Sequence, residues 1–123
     1  MRNALVVNKK VEEIKRYIGK ELENFLNSKS LNTAKNYRVD IKQFCEYMYK
    51  KKPVFVTIED LALTTGSHVV EYKNLLEKTQ KGTTTNRKIK SVASFFKFIE
   101  SDYPEVRSAI FNKVDKAKEH DKR

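Results

Sequence analysis

Apolar positions recur along this chain at intervals of three and four, the signature of helices with one buried face. From residue 11 to 27 they are Val11, Ile14, Tyr17, Ile18, Leu22, Phe25 and Leu26, which predicts a first helix weakened at Gly19. Asn32 or Thr33 then suits a helix N-cap. A second helix is expected over residues 33–51, with Tyr37, Ile41, Phe44, Tyr47 and Met48 inward and Lys35, Arg38 and Lys42 on the other side. Pro53 stops it. Residues 54–56 read as an extended linker with nothing to pair against, and Thr57 caps a short helix whose first turn holds Glu59 and Asp60.

A fourth helix is expected over residues 67–78, burying Val69, Val70, Tyr72, Leu75 and Leu76. The strongest pattern follows, from Gly82 to about Ser101. Ile89, Val92, Ala93, Phe96 and Ile99 share one face, while Arg87, Lys90, Ser91 and Ser94 gather opposite, with Lys97 at the edge. The second helix repeats this design. Phe95 and Phe98 project away from the apolar stripe, which predicts that they pack under another helix or against a further domain. Thr83, Thr84, Thr85 and Asn86 are placed to cap this helix, and N–H groups at a helix start also bind phosphate. Pro104 is placed to open a last helix carrying Val106, Ala109, Ile110 and Val114. Beyond Asp115 the residues are charged and read as a tail.

Composition sharpens the picture. At 123 residues the chain is one domain in size, and three glycines and two prolines amid abundant Lys, Glu, Leu and Phe favour an all-α fold. The formal charge is +10. The excess sits in residues 1–30, 31–52 and 82–101, while 53–81 is slightly acidic, so a polyanion, nucleic acid first, is the natural partner. Cys45 is the only cysteine, which excludes an internal disulfide and a cysteine-based metal cluster; it is read as a small core residue. His68 and His120 lack a metal-binding spacing, so no cofactor is implied, and His68 reads as a surface residue. No apolar run marks a membrane span or signal peptide, and a cytoplasmic setting is expected.

Two separated motifs carry a family resemblance. One is Thr33-x-x-x-Tyr37-x-x-Asp40-Ile41-x-x-Phe44-x-x-Tyr47; the other is Thr85-x-Arg87-x-Ile89-x-x-Val92-x-x-Phe95-Phe96-x-Phe98-Ile99. Between them lie Thr57-x-x-Asp60-Leu61 and the segment with Tyr72 and Leu75. In order and spacing they resemble the N-terminal core-binding, SAM-like domain of tyrosine recombinases and phage-type integrases. The resemblance covers residues 10–112, leaving 1–9 as a lead-in and 113–123 as a charged tail or the start of a linker. It implies a compact orthogonal bundle of about five to six helices, monomeric in isolation, that grips one side of duplex DNA. A separate C-terminal catalytic domain of the same parent chain would close over the other side, with further recombinase protomers on the DNA.

The DNA contacts so implied are Lys35, Asn36, Arg38 and Lys42 on one helix, and Thr84, Thr85, Asn86, Arg87, Lys90, Ser91 and Ser94 on the other. Several relatives carry arginine where this chain has Ala93 or Ser94, which predicts fewer or different contacts there. No stretch matches the family's catalytic arginine, histidine and tyrosine motifs, so DNA cleavage is not expected of these residues. The competing class is a helical SAM-type protein–protein module with incidental charge; a regulator built of this domain alone is a third.

Overall fold

The structure is a computed structural model, and it describes residues 15–117. The expected lead-in at 1–9, the start of the first predicted helix at 11–14, His120 and the end of the tail lie outside them. Five α-helices fill most of the described chain: α1 (Gly19–Asn27), α2 (Leu31–Tyr49), α3 (Ile58–Ala62), α4 (Gly66–Thr79) and α5 (Gly82–Glu100). Two 3-10 turns, Pro53–Phe55 and Ser108–Lys113, complete the set, and among the described residues there is no strand. The all-α expectation holds.

Helix α5 is the spine, because its neighbours Phe95 and Phe96 enter different aromatic clusters. Phe95 meets Phe25 of α1 at 5.4 Å between ring centroids, and Phe25 also meets Phe98 and stacks on Tyr37 of α2. Phe96 meets Phe44 of α2 at 6.0 Å and Phe111 at 5.1 Å; Phe44 in turn contacts Tyr72 of α4 edge-on. Phe95 and Phe98 therefore do pack under another helix, α1. Tilted and edge-on pairs of this kind add to burial alone.

Several boundaries differ from expectation for reasons of long-range pairing. Residues 16–18 are not helical: the Ile18 amide donates to the Val56 carbonyl, the Ile58 amide donates to the Arg16 carbonyl, and Tyr17 bridges Thr57. The segment read as an unpaired linker thus has a partner, and α1 starts at Gly19, where glycine costs little. Helix α2 begins earlier than predicted, capped by Ser30, whose hydroxyl accepts from the Thr33 amide. It ends at Lys50 in the left-handed conformation, φ 59°, three residues before Pro53.

Thr57 caps α3 as predicted, and Asp60 closes a capping box with it. A second box was not foreseen: Thr65 accepts from the His68 amide, and His68 Nδ1 accepts from the Thr65 amide. By contrast, Lys81 caps α5 without any side-chain bond, and the threonines sit inside the helix.

The last predicted helix is a 3-10 turn. The buried residues of this stretch, Val106 before the turn and Phe111 within it, are five apart, which a 3.6-residue period does not place on one face. The turn lies so close to α4 that a Cβ on Gly66 would sit 3.1 Å from the Ile110 carbonyl oxygen. Residues 113–117 are not a free tail, since Lys113 belongs to this turn and Ala117 is buried.

Candidate nucleic-acid interface

The chemistry collects where α2 crosses α5, two helices that pack extensively together. Asp40 of α2 has no exposed surface, although four residues N-terminal of Phe44 it occupies a core register. From α5, Lys88 occupies the matching register below Val92 and Phe95 and is 5% exposed. Arg87 Nη2 donates to Asp40 Oδ1 at 2.8 Å, and Lys88 Nζ reaches the same oxygen at 3.3 Å and also donates to Gln43 Oε1. The Ser91 hydroxyl lies 2.7 Å from Asp40 Oδ2 and 3.0 Å from the Arg87 carbonyl. It has one hydrogen, and the charged carboxylate is the stronger acceptor. A buried carboxylate is tolerable only with its lone pairs satisfied in this manner.

The buried face of α5 is Thr85, Lys88, Ser91, Val92, Phe95, Phe96 and Ile99. Ile89 and Ala93, expected at its centre, are only partly buried. The helix is rolled from the predicted orientation, because the aromatic pairs and the Asp40 cluster claim the side that includes Phe95 and Ser91. What remains outward is a narrower stripe of Thr83, Arg87, Lys90 and Lys97, flanked by half-buried Ser94. Ser91, placed outside by the sequence pattern, is buried. Thr85 is also buried, and its hydroxyl has no partner among the described residues. Thr84 is half-buried. The one acid of α5, Glu100, accepts from the Ser108 hydroxyl and amide, which hold its carboxyl below the usual range.

Asn86 does something else. Its amide nitrogen donates to the Ala117 carbonyl at 3.1 Å and its oxygen accepts from the Ala117 amide at 2.8 Å, fastening residues 114–117 across the start of α5. Beside this strap lies an open groove of about 530 Å³, lined by cations from three segments: Lys73 of α4, Arg87 and Lys90 of α5, and Lys116. Asp115 is the acid in its wall.

On α2 the candidates divide. Arg38 is bidentate to Glu23 of α1, at 2.8 and 3.0 Å, and this pairing draws the Glu23 carboxyl below its ordinary range. Arg38 and Lys42 each lie two residues from Asp40, about 160° round the helix from the α5 seam. They and Lys35 face away from Arg87, toward the α1 side or open solvent. The exposed α2 residues beside the seam are Asn36 and Gln43, the neighbours of Asp40 at i−4 and i+3. Gln43 and Lys88 were not foreseen as part of the site. The signal was present: Lys88, Val92, Phe95 and Ile99 share one spacing, as do Asp40, Phe44 and Tyr47, so two opposite charges stood at core positions.

The family model for the phage integrase N-terminal SAM-like domain matches residues 20–102, and both motif helices lie within that span. The chain belongs to this family. Catalysis in phage integrases lies in a separate domain. The chain is also 29% identical over 131 residues to the SPbeta prophage-derived probable integrase/recombinase YopP of Bacillus subtilis (strain 168). That alignment covers 89% of this chain and 36% of the relative, so the chain spans about a third of that protein's length. No solved structure matches it. Among the described residues of this integrase-family domain, no three His, Cys, Asp or Glu side chains converge as a metal site requires. No described helix is long and apolar enough to cross a membrane.

Proposed function

We propose that this domain binds duplex DNA as the core-binding part of a site-specific tyrosine recombinase and positions a catalytic domain of the parent protein on the crossover site. The observation that carries this reading is the outer stripe of α5, where Arg87 and Lys90 stand among small polar side chains with no acid between them. Its one acid is folded back onto Ser108. Such a surface suits a phosphate backbone with base edges beside it. Asn36 and Gln43 extend it across the seam, and Lys35 and Lys42 supply longer-range attraction. Arg38, held by Glu23 on the far side of α2, lies outside this contact surface. Ser91 and Thr85 are buried, and Ser91 is committed to Asp40, so neither faces the ligand. Recombinase protomers on the same DNA would be its further partners.

Fluorescence anisotropy with a labelled duplex, titrated with salt, tests the reading. Affinity should fall steeply with salt, with a log–log slope of about −0.9 per phosphate neutralised. The double substitution Arg87→Ala, Lys90→Ala should weaken binding and make the slope shallower by about 2, with the helical circular-dichroism signal unchanged. Absence of binding at low salt would overturn the proposal and favour a protein-contact module.

A further inference from the structure

An acid buried directly beneath a surface meant for DNA needs a reason. Uncompensated, Asp40 would weaken the attraction of Arg87 for a polyanion. It is not uncompensated. Lys88, itself buried, spends its charge inward on Asp40 and its remaining bonding on Gln43. Ser91 occupies the second carboxylate oxygen. Asp40, Lys88 and Arg87 together sum to one net positive charge, which the exposed Arg87 presents to the outside. Asp40 also engages only one corner of the guanidinium, Nη2, while the Arg87 side chain stays 48% exposed. The guanidinium has five N–H donors in a fixed plane, so the others remain available while that corner is pinned.

We propose that Asp40 is a positioning residue: it fixes Arg87 as a pre-oriented donor that reads DNA sequence, while Lys35, Lys42 and Lys90, which pair with no acid among the described residues, supply affinity without discrimination. This rests on the DNA-binding reading above and goes beyond it by dividing the labour among the side chains. A planar donor fork held in one orientation can distinguish base edges, whereas a lysine on a flexible stem acts as a point charge.

The test uses a duplex selected from a random pool by the wild-type protein, compared with a scrambled duplex of the same length. Asp40→Asn removes a negative charge, so electrostatics alone predicts tighter binding to both. A purely structural role predicts a lower melting temperature and an equal loss on both. The positioning role predicts a roughly tenfold fall in the selected-to-scrambled affinity ratio, with scrambled binding unchanged or stronger. Arg87→Lys, which keeps the charge, should lose the same ratio.

Should Asp40→Asn fail to fold, the Arg87 guanidinium resonances of the free wild-type protein replace it. Hindered rotation supports the pinned geometry, and free averaging overturns it. An unchanged ratio in both folded variants overturns the inference and leaves DNA binding standing, as does a wild-type protein that selects no sequence. A wild-type protein that binds neither duplex overturns both proposals.

Discussion

Asp60 shows how much one side chain can do when its contacts are local. It caps α3 by accepting from the Thr57 amide at 3.0 Å and takes the Lys51 ammonium at 2.8 Å. Burial pushes its carboxyl upward, but the Lys51 and Thr57 bonds outweigh this and hold it below the ordinary range. Because the folded pKa lies below the unfolded one, this stabilisation is present above the unfolded value and is lost as pH falls through the folded one. Asp60→Ala should cost about 1 kcal/mol at pH 7. Thermal melts should show the gap to wild type closing below about pH 4; a gap that persists there would mean the cap does not depend on charge. This capping box was legible because its residues are three apart. So was Cys45, whose thiol burial pushes up to about 12. Asp40 and Lys88 were not, since charged residues default to the surface and their partnership spans 48 residues.

At the scale of elements, helix centres were readable from periodicity, while their ends depended on distant partners. The start of α1 is set by residues 56–58, and the roll of α5 by Asp40 and two aromatic clusters. Neither partner is visible in a local window. The strap at 114–117 is the clearest case, because one asparagine inside a basic motif turned out to hold backbone 31 residues away. Asn86→Ala should release it, which hydrogen exchange would read as a roughly tenfold loss of protection at the Ala117 amide, with the α5 amides unaffected. Unchanged protection would assign the strap's hold to Val114 packing instead.

For the molecule as a whole, Phe25 ties α1 to both α2 and α5 through three aromatic contacts. Phe25→Ala should cost about 3–5 kcal/mol in urea unfolding, a large share of the stability expected of one domain; a loss below 1 kcal/mol would show that α1 is peripheral. The all-α architecture and family were legible because the two motifs keep their order and spacing. How the basic stripes sit relative to each other was not, because that depends on which side of α2 meets α5. A further consequence follows from Phe95 and Phe96 being gripped from two directions. Rolling α5 would break both clusters, so Arg87 and Lys90 are held at one pitch relative to the bundle. On the DNA-binding reading proposed above, a duplex that fits poorly would have to bend or shift register to make contact, and its own stiffness would then become part of how sites are told apart.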